Sequence, residues 1–138
     1  TYEQQENGKV VFDGIVALAK ACLAAGIPVG LGTDTGCPFI THYDMWRELC
    51  YFVKFCGVTP AFALHSATLL NARLAGIDHL TGSVEKGKVA DLIVCEKNPL
   101  EDLTALRKLD MVIKDGWRID HPAVKKLPQV ERELDKFL

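Results

Sequence analysis

Apolar residues dominate Val10 to Ala25 (VVFDGIVALAKACLAA) over a wide face, which predicts a mostly buried helix with Gly26 as its C-terminal cap. Ile27 to Leu31 (IPVGL) is almost continuously apolar and predicts a short strand covered on both faces. It runs into a polar, glycine-flanked loop, Gly32-Thr33-Asp34-Thr35-Gly36. A second helix is predicted to begin near Thr41, where Thr41-His42-Tyr43-Asp44 fits a helix start signal. Met45, Trp46, Leu49, Phe52, Val53 and Cys56 then recur at three- and four-residue steps, and Gly57 ends the run. Thr59-Pro60 opens a third helix as N-cap and first-turn proline, with Phe62, Ala63, Ala67, Leu70 and Leu74 on its apolar side and Gly76 as its stop.

After Ile77 the pattern changes to short apolar runs between turn signals at Gly82, Gly87, Asn98-Pro99 and Asp115-Gly116. Val89 to Cys95 reads as a strand, and Leu100 to Leu109 as a short helix or helical turn. Met111 to Lys114 and Trp117 to Asp120 flank Asp115-Gly116 as the arms of a two-residue hairpin. His121-Pro122 breaks the chain, and the mixed-charge tail to Leu138 has room for a short helix after Pro128. A lone apolar strand between helices cannot satisfy its own backbone. It is expected to pair with strands of a missing N-terminal part or of a neighbouring chain.

Composition narrows the classes. The 138 residues make one domain's worth of chain, and 49% hydrophobic with 25% charged is a globular balance. A net charge of −2 argues against a strongly basic nucleic-acid binder or a binder of acidic membranes. No apolar run reaches the ~18 residues of a membrane span. Thr1 to Lys9 is polar and shows no secretory signal, and the start on Thr1 is read as a trimmed or excised piece. Five cysteines (Cys22, Cys37, Cys50, Cys56, Cys95) with no CxxC pair read as buried reduced thiols of a cytoplasmic protein, not as a zinc knuckle.

Chemistry concentrates at Asp34. It stands at the C-terminal end of the predicted buried strand, where α/β folds build their sites on loops held by a rigid sheet. A carboxylate there can bind a cation or accept a proton; it can also merely cap the following turn. Asp34-Thr35-Gly36 spells the triplet of aspartic proteases, but helical patterns on both sides do not suit their all-β setting. A phospho-acceptor aspartate would need an earlier acidic pair and a later lysine at strand ends, and neither is evident.

The ordered pattern resembles the amidohydrolase superfamily of metal-dependent hydrolases. Five stretches carry the resemblance: Ile27–Gly36 (IPVGLGTDTG), Thr59–Gly76 (TPAFALHSATLLNARLAG), Gly82–Glu96 (GSVEKGKVADLIVCE), Asn98–Leu103 (NPLEDL) and Asp110–Ile119 (DMVIKDGWRI). Each is weak alone; their order is specific, and roughly Val10 to Asp120 is covered. The stretch Pro38-Phe39-Ile40-Thr41-His42 is most similar to the Xaa-Pro dipeptidase-like and imidazolonepropionase-like branch.

The resemblance implies an α/β fold: the C-terminal fragment of a (β/α)8 TIM barrel, with its last strand and flanking helices, plus strands of a composite β-sandwich. On this reading residues 1–78 belong to the barrel, 79–120 to the sandwich, and 121–138 form the tail. Asp34 would be metal ligand and proton acceptor during attack of a water on an amide carbon. His42, Cys37 and Thr35 are the candidates for substrate contact, and Thr33 with Thr35 for orienting the Asp34 carboxylate. The metal would be divalent, zinc foremost, with one or two ions in the full-length enzyme and none held by this segment alone.

The family's other ligands, an HxH pair, a lysine and two later histidines, would lie upstream. The implied partners are a small amide or dipeptide-like substrate, the missing N-terminal part of the barrel, and further copies in a homo-oligomer, with no nucleic acid and no membrane. The isolated chain is expected to be inactive. The alternative is a non-catalytic, self-associating α/β module. His65, His79 and His121 read as surface residues, and Asp91 as the holder of a turn. Trp46, Phe52 and Phe55 read as a packing face that would be partly exposed without barrel neighbours.

Overall fold

The computed structural model describes residues 2–37 and 40–138. A long first helix, α1 (Tyr2–Ala24), is followed by α2 (Met45–Cys56) and α3 (Pro60–His65). The axis of α3 continues through a π-helical turn, Ser66–Leu70, into α4 (Asn71–Leu74). A three-stranded antiparallel sheet of β1 (Leu92–Val94), β2 (Met111–Lys114) and β3 (Trp117–Asp120) comes next, and α5 (Pro128–Leu134) closes the chain. The first helix starts eight residues before the predicted Val10, because the polar Thr1–Lys9 stretch has good helix formers and needs no apolar face to coil.

The core sits where α2 crosses α3. Leu49, Phe52, Ala63 and Leu103 are buried together, with Leu23, Val29, Leu31, Met45 and Val53 packed around them. The three- and four-residue steps of α2 bring Trp46, Leu49 and Phe52 to this side. Trp46 and Phe52 are buried and Phe55 is half-buried, so the predicted packing face is packed at its centre and partly open at Phe55. Thr59 caps α3 as expected, accepting the Phe62 N–H at 3.2 Å. At α2 the cap differs from expectation. Asp44, not Thr41, is the N-cap residue, and the Thr41 hydroxyl donates to the Asp44 carboxylate.

Ile27–Leu31 is not a strand. Among the described residues it pairs with no ladder, and the Asn71 carboxamide serves its backbone instead. Leu31 N–H donates to Asn71 Oδ1 at 3.0 Å, and Asn71 Nδ2 donates to Leu31 O at 2.7 Å. Glycine at position 30 makes this approach possible, since a Cβ there would stand 2.5 Å from Asn71 Oδ1. A strand is defined by its neighbours as much as by its sequence.

The sheet follows its turn chemistry. Leu92, Ile93 and Val94 pair with Ile113, Val112 and Met111, so the predicted Val89–Cys95 strand is trimmed at both ends. Met111↔Asp120 through Lys114↔Trp117 pair across the hairpin. Asp115 (φ 51°) and Gly116 (φ 81°) supply the two positive φ angles of its tight turn. Asp91 holds that turn from outside, accepting the Asp115 N–H at 2.8 Å and Lys114 Nζ at 3.0–3.1 Å. Leu100–Leu109 narrows to a 3-10 helix over Leu103–Arg107, started by the Asp102 carboxylate accepting the Thr104 N–H at 2.9 Å. No helix among the described residues is long and apolar enough to cross a membrane.

Candidate functional site

Asp34 sits at the end of the apolar Ile27–Leu31 segment with φ of 52°. L-residues pay about 1–2 kcal/mol for this left-handed conformation, and Asp is among the few that visit it. Its side chain is exposed, and Cys37 Sγ donates to Asp34 Oδ2 at 3.3 Å. That bond, with the field of the carboxylate, pushes the Cys37 thiol up from its ordinary value. A thiol held protonated is a donor and a poor nucleophile, so the pair offers proton exchange and ligation by oxygen but no thiolate attack.

Thr35 does not reach the carboxylate. Its hydroxyl lies 2.7 Å from that of Thr33, so the two threonines brace one another across Asp34. This corrects the expectation that they orient Asp34 directly: each hydroxyl is taken up by the other. Pro38 and Phe39 of the motif-like stretch lie outside the described residues. His42 is exposed in the turn before α2, its ring edge-on to Tyr43 with centroids 5.3 Å apart. It borders a cleft of about 690 Å³ whose walls include Tyr43, Trp46, Leu64 and Val112; Asp34, Thr35 and Cys37 do not line it. The structure thus brings Asp34 and Cys37 together and holds His42 on a separate turn.

The strongest electrostatic feature was not legible as a site in the sequence. Arg47 on α2 is buried, with Asp44 Oδ1 at 3.2 Å from its Nε, Glu131 Oε2 at 3.2 Å from Nη2 and Asp135 Oδ1 at 2.7 Å from Nη1. Arg107 Nη2 shares Glu131 at 3.2 Å and Asp135 at 3.0 Å. Both guanidinium groups lie over the Trp46 ring, at 4.5 and 5.3 Å. The hydrogen bond from Arg47 holds the Asp135 carboxyl below its ordinary value, with Arg107 adding to the effect. A usable signal was the four-residue spacing of Glu131 and Asp135, which puts both acids on one helical face. Their partner, 84 positions earlier, has no local signature.

All five cysteines are free; four are half-buried and Cys37 is exposed, so the expected full burial is not found. His65, His79 and His121 are exposed, as expected of surface residues. A hydrolytic zinc takes about three protein ligands. Among the described residues, no group of three or more His, Cys, Asp or Glu is placed to hold a metal ion. Asp34 therefore fits a metal only as one member of a set completed by other polypeptide.

A family model, "Amidohydrolase family", matches residues 7–118. The chain belongs to the amidohydrolase family. The imidazolonepropionase of Geobacillus kaustophilus is 36% identical over 76 residues, which cover 55% of this chain and 18% of that protein. A protein of Bifidobacterium longum assigned as a prolidase superposes with a TM-score of 0.93 at 44% identity, over 99% of this chain and 33% of its own. A Xaa-Pro dipeptidase with methionine bound in its active site is 37% identical, with a TM-score of 0.70 over 77% of this chain and 25% of its own.

This amidohydrolase chain thus spans about a fifth of its curated relative, and a quarter to a third of the two solved structures. It is an α/β segment of a larger family fold. The family's hydrolases act on amide and peptide-like bonds and are generally metal-dependent.

Proposed function

We propose that the chain is the C-terminal segment of a metal-dependent amidohydrolase acting on small amide or dipeptide-like substrates, with Asp34 as metal ligand and proton acceptor. The observation that carries this reading is Asp34 itself: an exposed carboxylate, in a left-handed turn, at the end of an apolar segment that lacks a strand partner among the described residues. Asp115 holds the same left-handed conformation inside a hairpin that closes on itself, whereas the Asp34 turn follows a segment whose backbone has no ladder among the described residues. The near-complete superposition on one third of a prolidase-like structure supports the same reading.

The metal, zinc foremost, supplies a water ionised near neutral pH. Asp34 would receive the proton that the attacking water gives up and would pass it to the leaving nitrogen as the carbon–nitrogen bond breaks. Cys37 steadies one carboxylate oxygen by donating to it, which leaves the other oxygen for ligation. Thr35, braced by Thr33 in the Asp34 turn, and His42, on the separate turn before α2, would contact the substrate. Ile27–Leu31 becomes the last barrel strand when upstream strands pair with it, and β1–β3 join a composite sandwich. The isolated segment, with one ligand, does not turn over substrate, and a cytoplasmic location belongs to the same reading.

The exposed side chains of α1 (Val10 70%, Val11 61%, Ile15 62%, Leu18 66%) call for cover, from the rest of the barrel or from a second copy. Sedimentation separates these occupants. A strict monomer at high concentration excludes self-association of the 138-residue chain and leaves the barrel.

The test is Asp34→Asn in the longer enzyme, assayed on Xaa-Pro dipeptides and N-acyl amino acids with added zinc. Loss of about 10²–10⁴-fold in kcat is expected for removing the acid–base group. Unchanged kcat would contradict the assignment.

A further inference from the structure

We infer that the C-terminal segment Leu127–Phe137 is a positioning strut for the turn that carries His42, acting through Arg47 and Tyr43. The importance of that turn rests on the function proposed above; the mechanical coupling does not.

Two routes join the tail to the turn. The first is ionic. The Thr41 hydroxyl donates to Asp44, Asp44 faces Arg47, and Arg47 binds Glu131 and Asp135 on the tail. The side chains of Asp44, Arg47 and Glu131 are only 6%, 3% and 8% exposed. The second route is direct. Leu127 N–H donates to the Tyr43 hydroxyl at 2.9 Å, Lys126 Nζ lies 5.8 Å from the Tyr43 ring, and that ring stands against His42. The tail is also laid along α2, with Tyr51 donating to Leu134 O at 3.3 Å and Lys54 to Phe137 O at 2.9 Å.

A buried ion cluster is a poor choice if stability alone is needed, since apolar residues of the same volume do as well or better. It does impose one geometry. Here that geometry fixes residues 41–44, the stretch that leads into α2. Arg47, Glu131, Asp135 and Tyr43 are therefore positioning residues; none of them borders Asp34.

The test uses the 138-residue chain with no substrate or metal. The variant Glu131→Gln/Asp135→Asn keeps the shape and removes the charges. Amide exchange in Tyr43–Leu49 is expected to speed up about 10-fold. The His42 ring proton resonances are expected to move as Tyr43 releases the ring, while exchange in α3 and α4 stays unchanged. Faster exchange confined to Leu127–Phe137, with His42 resonances unmoved, would overturn the strut.

Tyr43→Phe breaks only the bond to Leu127 and keeps the proposal falsifiable should the double variant unfold. His42 resonances that move support the proposal; resonances that do not move overturn it. Since no readout uses turnover, failure of the hydrolase assignment leaves this test intact, and the reverse also holds.

Discussion

Asp34 and Asp91 are both exposed aspartates at the ends of apolar segments, yet they stand in opposite states. Asp91 is spent on its own fold. Its carboxylate accepts the Asp115 N–H and two contacts from Lys114, and these hold it below its ordinary value. Asp34 receives a single thiol donor and sits in a strained turn. A carboxylate that closes a turn is fully engaged by its neighbours in sequence and sheet. Asp34 keeps one carboxylate oxygen without a donor among the described residues, which is what the proposed role as metal ligand requires. The tail acids, Glu131 and Asp135, belong with Asp91.

The comparison breaks most visibly if the engaged acids lose their cation. Arg47→Met leaves Asp44 and Glu131 buried without a full partner, and should destabilise the chain by about 3–5 kcal/mol in urea unfolding. A loss under 1 kcal/mol would mean that the cluster is held by Arg107 alone. The opposite substitution sharpens the contrast. Asp34→Gly relieves the left-handed conformation and should stabilise the chain by about 1 kcal/mol in urea unfolding. Asp91→Ala, by the same urea unfolding, should destabilise the chain. Equal signs for these two variants would erase the distinction between the aspartates.

Acid is a gentler probe. The Asp135 carboxyl is depressed in the folded chain, so its contribution is present above its unfolded value of about 3.9 and fades as pH falls through the lower folded value. Facing it are Arg47 from α2 and Arg107 from the 3-10 helix, with Asp44 and Glu131 beside them. Trp46 is buried under both guanidinium groups while Trp117 is 80% exposed. Release of the tail below about pH 4 should therefore be reported by Trp46 fluorescence. The smallest effect belongs to Glu48, whose carboxyl is pushed up by burial on α2. A raised carboxyl weakens the fold as pH rises through its range, so Glu48→Gln should raise the melting temperature at pH 7 and leave it unchanged at pH 3.

Much of this was legible in the chain because it is local. The α2 periodicity, the Thr59-Pro60 start, the Asp115-Gly116 hairpin and the holding role of Asp91 each depend on residues within a few positions or one sheet register. Asp34 was singled out by the order of motifs along the chain, not by a local rule; it is exposed and receives one thiol donor.

What was not legible depends on distant or external partners. Ile27–Leu31 has strand composition but no strand beside it among the described residues, and Asn71 takes over its backbone. The Arg47 cluster joins positions 84 and 88 residues apart, and no periodicity announces such a pair. The threonines around Asp34 bond to each other, and Asp34 between them is left-handed, a conformation that the sequence carries only as a tolerance.

The central claim is that Asp34 belongs to a metal centre completed by other polypeptide. Anomalous diffraction at the zinc edge, on crystals of the longer enzyme loaded with zinc, tests it most directly. The account predicts a peak about 2.0–2.2 Å from an Asp34 carboxylate oxygen, with histidines from outside this segment around it. A zinc site ligated elsewhere, with the Asp34 carboxylate outside its coordination sphere, would contradict it.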